Sequence, residues 1–180
     1  MLYGFPRSAA LSHYGILNGI AMPCILFPSA ITNSISMMML PTVAEIQAAS
    51  QNRTLRQLIR KVSISCLLLG FFCTCGFLLT ADFLGSFVFQ SPEAASYIRV
   101  LAFICPFLYT TSTYISVLNG LGHTGLAFLI NFTGLCIRIA GVFFLIPQTG
   151  ISGYLTGLLS SQIFVFLASV RVLFRTVQCT

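Results

Sequence analysis

Five apolar runs constrain this chain of 180 residues more than any other feature of its sequence. A helix needs about 20 mostly apolar residues to cross the hydrocarbon core of a bilayer. The runs cover residues 14–40, 62–81, 97–119, 125–146 and 151–171. They lack the alternation of barrel strands, and a helix satisfies its own backbone hydrogen bonds in lipid. The sequence therefore predicts an all-α, polytopic bundle of about five transmembrane helices.

The composition agrees with a membrane protein and excludes several other classes. Charged residues make up 7% of the chain, against about 25% in a soluble domain. The nine Lys and Arg residues are spread too thinly to predict a nucleic-acid surface. Six of the seven Cys residues lie inside apolar runs, where Cys behaves as a small hydrophobe. We therefore predict no metal, no cofactor and, with only three carboxylates, no enzyme.

The connection between the first two runs, residues 41–61, carries four basic residues near helical spacing. They are Arg53, Arg56, Arg60 and Lys61. Apolar residues lie between them, which predicts an amphipathic helix at the membrane surface, in contact with lipid headgroups. A solvated basic loop is the alternative. Residues Thr42 to Glu45 match a capping box, so we expect a short helix to begin there.

The distribution of positive charge predicts the orientation. With residues 41–61 in the cytoplasm, six Lys and Arg residues lie on the cytoplasmic side and two lie outside, as the positive-inside rule requires. Residues 1–13 are then an external segment, and residues 172–180 are a cytoplasmic tail. Because the first helix would have to insert with a translocated N-terminus, we expect the chain to be the C-terminal fragment of a longer transporter, whose other helices precede Met1.

Four of the runs carry polar residues that share one face of a helix turning about 100° per residue. We predict that these faces line a water-filled, substrate-binding cavity. The candidate lining residues are Asn18, Ser112, Ser116, Asn119, Asn131, Arg138 and Gln162. Thr32 and Ser36 share the face of the first run, while Tyr154 and Ser161 share that of the fifth. In the alternative interpretation, small polar residues only support close packing between helices. The second run carries few such residues, so we expect it to be the most lipid-exposed span.

Arg138 is the strongest of these candidates. It lies inside an otherwise almost wholly apolar run, where a charge near the bilayer centre costs from about 3 to over 10 kcal/mol. No span contains an acidic partner, because Asp82, Glu93 and Glu45 lie near the ends of the runs. Three explanations remain open: Arg138 faces a cavity or substrate, it pairs with helices outside this chain, or it snorkels to the interface.

Three prolines lie inside the spans. Pro23 and Pro28 fall in the first run and Pro106 falls in the third. Each removes a backbone hydrogen bond and allows a kink. Bent helices are common in transporters, although membrane helices also tolerate proline without such a role.

Three stretches resemble a known family. Residues 14–48, "YGILNGIAMPCILFPSAITNSISMMMLPTVAEIQA", are similar to the stage V sporulation protein B family. Residues 117–131, "VLNGLGHTGLAFLIN", resemble the family's turn after a helix, with Asn119 in place of the usual glutamine. Residues 138–161, "RIAGVFFLIPQTGISGYLTGLLSS", resemble the last two helices of its twelve-helix core. These proteins are polysaccharide-biosynthesis transporters of the multidrug/oligosaccharidyl-lipid/polysaccharide flippase superfamily.

The resemblance implies two lobes of six helices around a central cavity, with this chain supplying five helices of the second lobe. It implies a protein of the bacterial cytoplasmic membrane that moves a lipid-linked oligosaccharide or peptidoglycan precursor by alternating access. The anionic pyrophosphate of such a substrate would then contact Arg138, and the upstream helices of the same transporter would be partners. A drug or cation exporter of the same superfamily, or a scaffold subunit that transports nothing, is the alternative.

Overall fold

The computed structural model describes residues 15–88, 92–149 and 151–179; the predicted external segment, residues 1–13, lies outside these ranges. Within them every secondary-structure element is helical. The α-helices are α1 (Met22–Leu26), α2 (Ser29–Ala48), α3 (Asn52–Phe83), α4 (Pro92–Ala102), α5 (Cys105–Gly120), α6 (Thr124–Thr149) and α7 (Ile151–Cys179). A π-helical turn, Leu17–Ala21, precedes α1, and a second one, Leu84–Val88, extends α3.

The described helices include three candidate spans and two bent pairs. The stretches Asn52–Phe87, Thr124–Leu145 and Gly153–Val177 are each long and apolar enough to cross a membrane. The pair Leu17–Leu26 and Ser29–Ala48 is bent by 55°, and the pair Ala95–Ala102 and Cys105–Gly120 by 48°. The predicted all-α, polytopic class is therefore confirmed, with three spans, or five if each bent pair crosses once.

The first bend lies at Phe27 and Pro28, where proline lacks the N–H that would continue the helix. Two side chains satisfy carbonyl groups next to this break. The Tyr109 hydroxyl, from α5, donates to the Ile25 carbonyl oxygen at 2.8 Å, and the Ser29 hydroxyl donates to that of Leu26 at 2.6 Å. A neighbouring helix thus supplies the donor that lipid cannot provide.

The second bend follows the same principle. Pro106 cannot donate to the carbonyl group of Ala102, four residues earlier. The Thr74 hydroxyl of α3 donates to that oxygen instead, at 2.9 Å. Gly70, one turn before Thr74, makes this possible, because a Cβ atom on Gly70 would lie only 2.4 Å from the Pro106 Cα atom. Both bends are therefore packed and hydrogen-bonded within the bundle.

The structure corrects the helix start that was expected at Thr42. No helix begins at Thr42: α2 continues through Pro41 to Ala48, and the Thr42 hydroxyl donates back to the Met38 carbonyl oxygen at 2.8 Å. Packing sustains this helix, since Val43 is fully buried. The basic residues lie in α3 itself, so residues 49–51 are all that connects the two helices. At the other end of the chain, α7 continues to Cys179, through most of the predicted tail.

The two last helices form a hairpin that is only loosely covered by the rest of the bundle. α6 contacts chiefly α7, and of the three candidate spans its stretch Thr124–Leu145 has the smallest buried share. The expectation that the second run is the most lipid-exposed span stays a prediction, although within the described residues the second run is slightly more buried than α6. The reason lies in packing: α3 contacts both α4 and α5, whereas α6 has one main neighbour.

Candidate functional site

Arg138 lies near the middle of α6 and is half-buried. Its Nη2 atom donates a hydrogen bond to the Tyr154 hydroxyl oxygen of α7 at 2.7 Å. The central guanidinium carbon also lies 5.7 Å from the centroid of the Tyr154 ring, near the outer limit of about 6 Å for a cation–π contact. The structure therefore gives this charge a polar partner on the adjacent helix.

Glycines bring α6 and α7 close enough for this contact. Gly141 lies one turn after Arg138, and Gly157 lies one turn after Tyr154. A Cβ atom on Gly141 would lie 3.0 Å from the Gly157 Cα atom, so the two backbones touch at this crossing. Small residues allow such an approach between helices in a membrane. The arginine and the tyrosine are thus positioned by the tightest part of the hairpin.

Tyr154 orients Arg138 without neutralising it. A guanidinium has five N–H donors, and one of them binds the neutral phenol. Among the described side chains the carboxylates are those of Glu45 and Asp82. Asp82 pairs with Arg99 at an exposed position, and Glu45 is exposed on α2. Within the described residues Arg138 therefore keeps most of its donors and its full charge for a ligand or for water.

Asn131 and Gln162 lie on the same two helices as this pair. Asn131 lies seven residues before Arg138, which places both on one face of α6 about 10 Å apart along the axis. It is exposed, and its side-chain amide donates to the Ala127 carbonyl oxygen at 3.1 Å. Gln162 lies two turns after Tyr154 on α7 and is half-buried. These two amides and Arg138 remain the strongest candidates for a polar surface on the hairpin.

The predicted faces of the first and third runs turn toward each other. The Ser36 hydroxyl of α2 lies 3.3 Å from the Ser112 hydroxyl and 3.2 Å from the Thr113 hydroxyl, both on α5. The Cys66 sulfur of α3 lies 3.3 Å from the Thr113 hydroxyl. These contacts join three helices, as the packing interpretation expects. Ser112 therefore has a partner within the bundle, and its cavity role stays a prediction.

The other predicted residues lie outside these two groups. Ser116 and Asn119 are half-buried near the end of α5, and Asn18 is half-buried in the turn Leu17–Ala21 and has a partner. The four basic residues of α3 are exposed near its start. They are Arg53, Arg56, Arg60 and Lys61.

Sequence reasoning missed the role of Tyr154, although it placed this residue on the polar face of the fifth run. A partial signal exists, since α6 ends at Thr149 and α7 begins at Ile151, which makes the two helices neighbours along the chain. Arg138 lies twelve residues before position 150 and Tyr154 four residues after it, so spacing along the chain alone does not predict their contact. The roles of Tyr109 and Thr74 in satisfying carbonyl groups at the bends were also missed, although the helical pattern places Tyr109 on the polar face of the third run.

The fold and the charge pattern define a class: an all-α membrane protein that carries an arginine near the middle of one span. Within that class the chain is similar to stage V sporulation protein B of Bacillus subtilis (strain 168), with 27% identity over 166 residues. The match covers 91% of this chain and 32% of the relative, so the chain spans about a third of the length of the curated relative. The resemblance predicted from the sequence is confirmed.

The other two comparisons add no relatives. No protein-family model matches the chain. No solved structure matches it either.

Proposed function

We propose that this chain forms part of a flippase-type secondary transporter of the bacterial cytoplasmic membrane. Its substrate is a lipid-linked oligosaccharide or a peptidoglycan or polysaccharide precursor, which crosses the membrane by alternating access. The observation that carries the proposal is Arg138, a charge near the middle of a span whose described partner is the neutral Tyr154. The similarity to stage V sporulation protein B supports the same class.

The physical argument concerns what an arginine in this position can bind. Arginine is charged at physiological pH, and its planar fork matches the oxygens of a phosphate group. In lipid such a charge is costly, so it faces water, an anion or both. A lipid-linked pyrophosphate supplies the anion. Tyr154 holds one edge of the guanidinium and leaves the remaining donors for the substrate, while Asn131 and Gln162 offer amide groups to its sugars.

Movement in this proposal comes from rigid bodies that rock about the membrane centre. The bent spans keep their shape, because Tyr109 and Thr74 satisfy the carbonyl groups at their bends. An ion gradient or the membrane potential drives the rocking, and the remaining helices of the transporter supply the opposite wall of the cavity. The start of α3 and the end of α7 lie in the cytoplasm, in keeping with their basic residues. The protein is a transporter without enzymatic activity.

Flux measurements test this role. The protein, in the form in which cells produce it, is reconstituted in proteoliposomes with a fluorescent lipid-linked pyrophosphate oligosaccharide. Loss of one charge-assisted hydrogen bond predicts at least about tenfold lower flux for Arg138→Gln, with Arg138→Lys in between because it keeps the charge without the fork. Arg99→Gln is the matched control, since Arg99 pairs with Asp82 at an exposed site. Wild-type flux in both Arg138 variants would contradict the proposal.

A scaffold subunit that transports nothing is the second candidate. The contacts among Ser36, Ser112 and Thr113 favour it, because they use polar groups of two spans for packing. In that case Arg138→Gln would leave assembly and flux unchanged. A drug or cation exporter of the same superfamily needs an anionic cavity for its cationic substrate. The positive charge of Arg138 argues against a cation exporter. Loss of organic-cation export in Arg138→Gln would support a cation exporter.

A further inference from the structure

A groove of about 510 Å³ lies between the first turns of α3 and the last turns of α7, and Tyr114 of α5 also lines it. It is separate from Arg138 and from the polar contacts at the bends. Its apolar wall is formed by Ile59 and Ile64 of α3 and by Leu173 and Phe174 of α7. Its volume lies within the range of about 300–1,000 Å³ that is usual for small-molecule sites.

Two arginines, Arg56 and Arg60, line this apolar groove. Arg56, Arg60 and Ile64 follow one another at four-residue spacing, so they share one face of α3. The Arg56 Nη2 atom donates to the Val177 carbonyl oxygen at 3.0 Å, which ties α3 to the end of α7. Arg60 also lines the groove and is exposed, and it has no hydrogen bond or ion pair with any residue that the structure describes. Its guanidinium is thus available to a ligand.

The charge around the groove is strongly positive. Arg53 and Lys61 lie on α3 near the groove, and Arg171 and Arg175 lie on the same part of α7. The acidic side chain that the structure describes at this end of the bundle is that of Glu45, since Asp82 lies at the far end of α3. A ligand of this groove is therefore anionic at one end and apolar at the other.

We propose that this groove binds an anionic phospholipid of the surrounding membrane. Arg60, with Arg56 beside it, holds the phosphate through charge-assisted hydrogen bonds, and the apolar wall takes the first part of an acyl chain. The lipid reaches the groove sideways, because α3 continues beyond the groove with an exposed apolar surface that includes Leu67, Leu68 and Phe71. This site stands independently of the role proposed for Arg138.

Native mass spectrometry of the detergent-solubilised protein tests the site. Phosphatidylglycerol and phosphatidylcholine with the same acyl chains are titrated into the wild type, Arg60→Gln and Arg53→Gln. The control Arg53→Gln removes the same charge from the same helix at an exposed position that does not line the groove. Arg56 is left intact because it also holds Val177.

We expect the wild type to bind phosphatidylglycerol at least about tenfold more tightly than phosphatidylcholine. Arg60→Gln should lose most of this preference, and Arg53→Gln should stay within about twofold of the wild type. Equal losses in the two variants would overturn the proposal in favour of diffuse charge attraction. Equal binding of the two lipids, or displacement of phosphatidylglycerol by inorganic phosphate at a similar concentration, would also overturn it.

A second pair of variants keeps the test valid if Arg60→Gln does not fold. Ile64→Trp fills the apolar wall, whereas Leu68→Trp adds the same bulk one turn farther along α3, outside the groove; both residues are exposed. We expect Ile64→Trp to weaken phosphatidylglycerol binding severalfold and Leu68→Trp to leave it unchanged. Unchanged binding in Ile64→Trp would place the lipid elsewhere on the protein.

Discussion

The bent helix pairs and the α6–α7 hairpin both contain polar groups inside apolar helices. They differ in whether the protein satisfies the hydrogen bonds of those groups. Around the bends, the hydroxyl groups of Tyr109 and Thr74 donate to carbonyl groups of other helices. On the hairpin, Arg138 binds one neutral hydroxyl and keeps further donors. A polar residue within a span is therefore weak evidence for a transport path. What matters is whether the protein already satisfies its hydrogen bonds and its charge.

The largest effect that separates the two regions is expected at Gly70. In Gly70→Ala the new Cβ atom would meet the Pro106 backbone, at 2.4 Å from its Cα atom, so we expect a loss of about 2–3 kcal/mol in the free energy of unfolding. Gly76→Ala is the control on the same helix, since a Cβ atom there meets nothing within 4 Å. Unfolding in mixed detergent micelles measures both variants. Equal stability of the two would mean that α3 does not pack on the bend as described.

A smaller effect is expected from removing one hydroxyl group in each region. Tyr109→Phe leaves the buried Ile25 carbonyl without its donor, which should lower the free energy of unfolding by about 1–3 kcal/mol. Tyr154→Phe removes the described partner of Arg138 at a half-buried site, so its effect on unfolding should be less than about 1 kcal/mol. We expect Tyr154→Phe to lower the transport flux instead, because Arg138 loses the hydroxyl group that orients it. A larger loss of stability in Tyr154→Phe than in Tyr109→Phe would contradict this comparison, because it would give Tyr154 the structural role that we assign to Tyr109.

The smallest effect concerns the cluster of hydroxyl groups between α2 and α5. Ser36→Ala removes the contacts to Ser112 and Thr113. Because hydrogen bonds between membrane helices contribute about 0.6 kcal/mol on average, we expect the free energy of unfolding to fall by about that amount. Ser34→Ala removes only an exposed bond to the Ala30 carbonyl oxygen and should be neutral. The same unfolding assay compares them. A flux defect in Ser36→Ala without any loss of stability would instead place this cluster on the transport path.

Helical periodicity predicted which polar residues share a face, but it could not predict what covers that face. Ser112 and Arg138 both lie on polar faces, yet Ser112 meets Ser36 of another span and Arg138 lies on the loosely covered hairpin. Which face is covered depends on the arrangement of the neighbouring helices, and one sequence does not contain that information. The class of fold was predictable because the length and apolar character of each run are enough to predict a membrane-spanning helix.

Local motifs gave less reliable predictions than the long apolar runs. Residues Thr42 to Glu45 fit a capping box, but burial of Val43 keeps α2 helical through them and the Thr42 hydroxyl binds the Met38 carbonyl oxygen instead. The contact between Arg138 and Tyr154 depends on the register of two helices around a turn. Tertiary packing decides both outcomes, and a four-residue pattern cannot specify it.

Accessibility at position 138 tests the central claim most directly. In a background without the native cysteines, Arg138→Cys and Thr113→Cys are exposed in membranes to a charged, water-soluble thiol reagent. Thr113 is buried between three helices, so its rate of modification serves as the sealed reference. If position 138 faces water as we propose, it should react at least about tenfold faster. Equal, negligible rates at the two positions, with or without substrate, would contradict the account.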